Sequence, residues 1–286
     1  MERPAVPEVD YTRYSNRQLA AVPLAVLAVA LLILAGGWMA TGTPVNLGID
    51  FTGGTELQIE ADATQEEIAA AFDEEPTSVQ PIRGQTDEYV VTFQSTDLAG
   101  LEGEAEDAGF DIISSGTISA GFGSETQSQA VFGIAIAFLG MSVLVALMFR
   151  TVVPSVAVVA SAFSDLMIPL ALMTLFDIQL TLGTVAALLM LIGYSVDSDI
   201  LLNNHILKRR GDFYESTYRA MRTGVTMTTT AIIAMIVMTL VATIFGIPLL
   251  PAIGIVLVFG LLADLMNTYL LNVSLLRWYK YEGVAR

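Results

Sequence analysis

Cysteine is absent from this chain, and histidine occurs once, as His205. Without thiols there are no disulfides and no thiolate metal sites, and one histidine cannot build a zinc site. The expectation for His205 is a place in a capped helix end, and neither a cofactor nor a metal is expected. Charge is scarce as well: Asp, Glu, Lys and Arg make up 15% of the 286 residues, against a hydrophobic fraction of 54%. A soluble domain of this length does not need so much apolar material.

The charge that is present is unevenly placed. Spans 18–40, 129–149, 151–164, 178–196, 223–263 and 265–276 contain no Asp, Glu, Lys or Arg. About 20 apolar residues in a helix cross the hydrocarbon of a bilayer. The run 223–263 is long enough for two such helices, divided at Gly246, Pro248 and Pro251. Six spans result, near 18–40, 129–149, 152–176, 179–204, 224–246 and 250–276, which makes the chain a polytopic α-helical membrane protein. The first span is longer than the 7–15 apolar residues of a signal peptide and lacks an A-x-A-like site after it, so it is read as a retained anchor.

Basic residues set the orientation, because they are retained on the cytoplasmic side of short loops. Twelve of the thirteen Lys and Arg lie before span 1, between spans 2 and 3, between spans 4 and 5, or after span 6. Both termini are therefore expected in the cytoplasm, with residues 1–17 as an N-terminal segment and 277–286 as a tail at the cell membrane. Only Arg83 lies in 41–128, beside eighteen acids, and this segment is expected outside. So acidic a surface repels nucleic acid and anionic headgroups. It suits either basic partners or very high salt, where screening weakens self-repulsion. The even spread of the acids favours the second, halophilic reading.

Within 41–128, "TELQIEA" alternates like a half-buried strand. "ATQEEIAAAFDEE" opens with a capping box, Thr64 to Glu67, and presents Ile68, Ala71 and Phe72 on one face. "TSVQPIRG" and "DEYVVTFQS" read as strands joined by a turn at Gly84 to Asp87, "TDLAGLEGEAEDAGF" as a weaker helix, and "DIISSGTIS" as a last strand. The order strand, helix, strand, strand, helix, strand predicts a small α+β ferredoxin-like domain between spans 1 and 2, with spans 2 to 6 filling 129–276. It offers no nucleophile–base pair, and the chain is not expected to be an enzyme.

"GIDFTGG", Gly48 to Gly54, lacks the Lys and Ser/Thr of a phosphate loop and precedes a strand rather than a helix. Gly53 and Gly54 suit a bulge or a tight backbone approach where the domain meets the membrane. Together with Asp50, Phe51 and Thr55 they form the structural motif of this stretch.

Four acids fall at membrane depth: Asp165 in span 3, Asp197 and Asp199 in span 4, and Asp264 in span 6. Such groups cost a few kcal/mol to insert and usually face a protein interior or water. Asp197 and Asp199 lie about 200° apart around a helix and cannot share a face. Asp199 continues a polar stripe with Ser195 and Asn203. Asp197 is the deeper and is expected to converge with Asp165 and Asp264. Arg222, at the mouth of span 5, is one partner for it, and Thr226, Thr229 and Thr230 extend inward from there, where packing alone accounts for them.

Three stretches resemble the SecD/SecF family, the paired accessory subunits of the general protein-export channel: "GIDFTGGTELQI", "GYSVDSDILL" in span 4, and "RTGVTMTTT" opening span 5. Six spans with one small domain fit the SecF branch, since SecD would carry a larger outward region. The resemblance implies a subunit that works with a SecD-like partner and the Sec translocation channel on exported polypeptide. It also implies a proton- or sodium-driven cycle associated with an Asp in span 4 and an Arg in span 5, the latter matching Arg222. The usual SecF order Asn-Asp-Ser would fall on Asp197, Ser198 and Asp199. The SecD order Val-Asp-Ala-Asn instead puts its Asp at Asp197, and "VDSD" is closer to that. Asp165 matches the family's Asp in span 3, with Ser164 where a His often precedes it. The ion-coupling candidates are thus Asp197, Asp165, Arg222 and Asp199.

Three rivals remain. A small-molecule or lipid exporter would need a larger outward region to enclose its cargo. An intramembrane aspartyl protease would need Tyr-Asp and Gly-x-Gly-Asp contexts that "SVDSD" and "LLADL" lack. A structural scaffold would use every buried Asp as helix glue.

Overall fold

The computed structural model describes residues 10–82, 87–208, 212–247 and 249–283. A 3-10 turn at Tyr11–Arg13 leads into α1 (Asn16–Thr41), whose entry is fixed by a capping box between Ser15 and Gln18. After α1 come a single-turn helix, α2 (Ile49–Thr52), and a sheet domain. Its elements are β1 (Gly54–Glu60), α3 (Gln65–Ala70), β2 (Ser78–Pro81), β3 (Glu88–Phe93), α4 (Leu98–Asp107) and β4 (Asp111–Ile118). The remaining spans are α5 (Ala120–Phe149), α6 (Val152–Leu175), α7 (Leu182–Lys208), α8 (Phe213–Ile244) and a sixth built of α9 (Leu250–Met266), a π turn (Asn267–Asn272), α10 (Val273–Trp278) and a second π turn (Tyr279–Gly283). Among the described residues, six helical segments are long and apolar enough to cross a membrane.

The sheet has the order β2-β3-β1-β4 with every neighbouring pair antiparallel, the arrangement the element order predicts. Alternation puts Leu57, Ile59, Val91 and Phe93 on the buried face, where Ile68 and Phe72 of the first helical segment cover them. Phe72 meets Phe93 edge-on at 4.8 Å between ring centroids. The capping box at Thr64 and Glu67 is present. The helix stops at Ala70, earlier than the pattern of apolar residues suggests. Asp73, Glu74 and Glu75 would crowd negative charge at a helix C-terminus, and Pro76 disfavours the helical conformation at Glu75. Of the hairpin turn expected at Gly84 to Asp87, only Asp87 is among the described residues.

In the bundle, α6, α7 and the sixth span pack on one another, α1 lies against α6, and α5 and α8 stand outside with mostly exposed apolar surfaces. Helix α5 begins at Ala120, nine residues before its charge-free run, because Ser119 caps it and polar residues such as Ser124 and Gln127 are tolerated in its first turns. At the opposite end of the bundle Arg277, which is buried, gives its guanidinium to the carbonyls of Tyr11 (2.8 Å) and Tyr14 (2.7 Å) and to Asn16 Oδ1. Burial pushes the Tyr11 hydroxyl up to about 12, so it stays a donor, and it bonds the Tyr269 carbonyl at 3.1 Å. His205 Nδ1 donates to the Leu201 carbonyl at 2.8 Å, inside the last turns of α7.

Candidate functional site

Two constellations occupy the places where the sequence concentrates its unusual residues. The first is the junction of sheet and bundle. Gly48 N–H donates to the Leu180 carbonyl (2.8 Å) and Leu180 N–H to the Asn46 carbonyl (2.7 Å), so the chain before the sheet pairs with the loop between α6 and α7. Asn46 Nδ2 donates to Asp177 Oδ1 at 2.6 Å, and Asp50 Oδ2 accepts from the Leu182 N–H at 2.8 Å, at the start of α7. Gly53 has φ +74°, and a Cβ there would lie 2.6 Å from Ala120 Cα. Gly54 has φ +121°, and its Cβ would lie 2.1 Å from the Phe93 carbonyl oxygen. The two glycines therefore serve close backbone approach, to α5 on one side and to β3 on the other. The bulge falls elsewhere, between Gln58 and Ile59. Phe51 is buried beneath this turn, and Thr55 Oγ1 donates to the Ser95 carbonyl at 2.8 Å. Burial and the Asp50 carboxylate hold the Glu56 carboxyl above the usual carboxylate range.

The second constellation is a polar centre among α6, α7 and the sixth span. Asp165, Asp199 and Asp264 are all buried there. Ser195 Oγ donates to Asp165 Oδ2 at 2.5 Å, and Asn267 Nδ2 to Asp165 Oδ1 at 2.6 Å. Thr268 Oγ1 reaches Asp199 Oδ1 at 2.9 Å and Asp264 Oδ1 at 3.1 Å. Asn272 Nδ2 donates to Asp199 Oδ1 at 2.8 Å, and Ser198 Oγ lies 2.7 Å from Asp264 Oδ1. The π turn is what brings Asn267 and Asn272 to neighbouring carboxyls. Five residues of α-helix would rotate them about 140° apart, whereas i→i+5 bonding aligns them. Pro169, in α6, has no N–H to offer the Asp165 carbonyl and loosens that helix beside its acid. None of the three carboxyls has an ion-pair partner among the described residues.

The structure brings together Asp165, Asp199 and Asp264, not Asp165, Asp197 and Asp264. Asp197 is exposed on the face of α7 that also carries Leu189, Met190 and Tyr194. The physical reason lies in its neighbours. Asp199 has Ser195 and Asn203 one turn away on its own face, and a helix turns its polar stripe toward other polar groups when the alternative is hydrocarbon. Asp197 has Gly193 and Leu201 in the same positions. Arg222 is likewise exposed and without an ion pair among the described residues. Thr226 and Thr230 give their hydroxyls to the carbonyls of Arg222 (2.7 Å) and Thr226 (2.8 Å), Thr229 is exposed, and Thr228 is the threonine of that run that is buried. Asn267, Thr268 and Asn272 escaped the sequence reading, which placed Ser198 only as the position of the family's Asp. Part of their signal was there: residues 264, 268 and 272 recur at the i, i+4, i+8 spacing of one helix face in an otherwise apolar span, and Asn267 joins them through the π turn.

Comparison with known proteins agrees with this architecture. The family "Protein export membrane protein SecD/SecF, C-terminal" matches residues 101–282, and the "SecD/SecF GG Motif" matches 38–65. A protein-export membrane protein SecF of Haloferax volcanii is 70% identical over 283 residues, 98% of each chain. That of Haloquadratum walsbyi is 65% identical over 98% of each, and that of Pyrococcus furiosus 38% identical over 97% of this chain and 99% of its own. Among solved structures, SecDF of Thermus thermophilus, described as a translocon-associated membrane protein, superimposes with a TM-score of 0.78 at 19% identity. That match covers 98% of this chain and 40% of the SecDF chain, and at this identity it shows the fold alone.

Proposed function

This chain belongs to the SecD/SecF family of protein-export membrane proteins, as a SecF-type subunit of halophilic character, and on that premise we propose that it works with a SecD-like partner to promote export of polypeptide across the cell membrane. In this reading it catalyses no reaction of its own. Both termini lie in the cytoplasm, and the sheet domain, residues 41–128, stands outside, where it contacts emerging chains. Ion movement through the membrane carboxyls, of protons or sodium, drives the cycle, and the junction at Gly48–Thr55 carries movement between bundle and sheet.

One observation carries the partnership. Asp197 on α7 is exposed at membrane depth beside Leu189, Met190 and Tyr194, and Arg222 on α8 is exposed at the mouth of the fifth span. Hydrocarbon does not cover ionisable groups without a cost of a few kcal/mol each, so a protein surface is expected there. A SecD-like subunit, the other half of a pseudo-symmetric pair, supplies it. The Sec channel is the third member of the assembly.

Co-purification tests this directly. A tagged chain extracted in mild detergent is expected to bring a SecD-like subunit at near-equal amounts, and Asp197→Leu combined with Arg222→Leu to change that yield. Recovery of the chain alone from native membranes would remove the partnership. The scaffold alternative is separated by Asp199→Asn. Normal assembly with reduced export supports gradient coupling, whereas joint loss of assembly and export supports helix glue.

A further inference from the structure

We propose that a cavity at the end of the bundle, where α1 begins and the sixth span finishes, binds the phosphate group of an anionic membrane lipid, with Arg277 as its buried anchor and Arg17 as its outer arm. The cavity has a volume of about 620 Å³, and its walls include Arg17, Tyr214, Arg277, Trp278, Tyr281 and Glu282. Three helix ends meet around it: the first turn of α1, the first turn of α8, and α10 with the second π turn. Helices that span a bilayer end at its surface, so the cavity lies at headgroup level.

Arg277 is the reason to expect a ligand. Its side chain is buried, with the residue 8% exposed. Nη1 donates to the Tyr11 carbonyl, Nη2 to the Tyr14 carbonyl and Nε to Asn16 Oδ1. A guanidinium has five N–H groups, so these three bonds leave one on each of Nη1 and Nη2. All three acceptors are neutral. Among the described residues no carboxylate pairs with Arg277, and a buried charge without a counter-charge is costly to keep. Two N–H groups on adjacent nitrogens are what a phosphate engages in a paired contact.

The rest of the wall fits the same ligand. Arg17 is exposed and forms no ion pair among the described residues, so its charge is available. It belongs to the first turn of α1, whose positive dipole end also favours an anion. Two acids lie close by. Asp212 approaches Tyr281, but its carboxylate is engaged in capping α8 through the Tyr214 N–H at 3.1 Å. Glu282 is exposed and is the one carboxylate in the wall among the described residues, against two guanidinium groups. Trp278 and Tyr281 are about half exposed beside them. Such rings settle where headgroup meets acyl chain, and a basic pocket between spanning helices is suited to a lipid phosphate. A free anion has no use for the rings, and this favours the lipid as occupant.

Thermal unfolding of the purified full chain in detergent micelles tests it. Phosphatidylglycerol is titrated in one arm, phosphatidylcholine in a second and inorganic phosphate in a third, all at one ionic strength. A ligand that binds only the folded state raises the midpoint saturably with its concentration. Phosphatidylglycerol is expected to do so and phosphatidylcholine is not. Arg17→Gln should raise the half-saturating phosphatidylglycerol fraction about five-fold, the worth of one basic residue near an anionic surface. Glu282→Gln should lower it. Arg150→Asn, exposed and outside the cavity, removes a charge expected on the same membrane side and should leave it unchanged. Arg277→Gln should abolish the rise. Should that variant not fold for want of its tie to Tyr11 and Tyr14, the opposite shifts of Arg17→Gln and Glu282→Gln decide. Equal midpoints in the two lipids overturn the site, as does a response to inorganic phosphate alone. Equal weakening by Arg17→Gln and Arg150→Asn also overturns it, because general charge attraction then accounts for the effect.

Discussion

Asp50 Oδ2 accepts a hydrogen bond from the main-chain N–H of Leu182 at 2.8 Å, across 132 positions of sequence. One residue belongs to the single turn that opens the sheet domain, and the other is the first residue of α7, the helix bearing Asp197 and Asp199. The first N–H groups of a helix have no partner within it, so an acid brought from elsewhere serves as their cap. Here Thr181 and Thr184 cap each other's N–H groups, and Asp50 takes the one between. Any axial shift of α7 is thereby felt at the base of the sheet.

Asp50→Ala is expected to cost about 1 kcal/mol, the usual loss for a helix cap, while Asp50→Asn keeps an acceptor and most of the stability. Limited proteolysis in nanodiscs would register this as faster cutting between residues 42 and 53 in the alanine variant. Unchanged cutting would mean that the bond carries no strain-bearing role.

The two glycines beside Asp50 make a sharper test, because each has a distinct neighbour. Gly54→Ala places a methyl group 2.1 Å from the Phe93 carbonyl oxygen at φ +121°. The backbone strain alone is about 1–3 kcal/mol, before the clash is counted. A Cβ added at Gly116, in the same sheet, would meet nothing within 4 Å, and the backbone there has no positive φ. Gly116→Ala should therefore stay within about 0.5 kcal/mol of the parent. Membrane yield and unfolding midpoint, measured side by side, are expected to separate the pair clearly.

Much of this architecture is legible in the sequence, for identifiable reasons. The spans follow from runs without charge, and the sheet domain follows from period-2 alternation at Leu57 and Ile59 and from the Thr64 capping box. Those signals are local. Which of Asp197 and Asp199 turns inward is not local, since both sit at similar depth and the answer depends on where α6 and the sixth span lie. The pattern that decides it is the residue one turn away: Ser195 and Asn203 for Asp199, Gly193 and Leu201 for Asp197. The π turn at Asn267–Asn272 left no comparable mark, because its register answers to the carboxyls it meets rather than to its own propensities.

The Thr268 hydroxyl bonds two of the buried acids, Asp199 and Asp264. Thr268→Val keeps the shape and removes the donor, leaving two carboxyl oxygens less well satisfied at a cost of about 1–3 kcal/mol. Thr268→Ser restores the hydroxyl and should recover most of that loss. The comparison separates hydrogen bonding from packing. If valine and serine variants unfold at the same midpoint, the bridge contributes nothing.

Glu56 gives the pH test outside the membrane. Its carboxyl is held above the usual carboxylate range, first by burial and then by Asp50. The folded state therefore binds a proton more readily than the unfolded state does. Stability from this group is present below the ordinary carboxylate range and is lost as pH rises through the raised value in the fold. Glu56→Gln removes the titration, so the variant should gain on the parent as pH increases through that window and match it at the acid end. Asp50→Asn should move the same transition toward lower pH, since it deletes the neighbouring negative charge while keeping the cap on α7. Unfolding midpoints of parent and both variants, taken across the acid range at fixed salt, would show the parent's loss occurring at higher pH than that of Asp50→Asn. Parallel curves for all three would mean that the two carboxyls do not sense each other, and that the Asp50 side chain faces α7 alone.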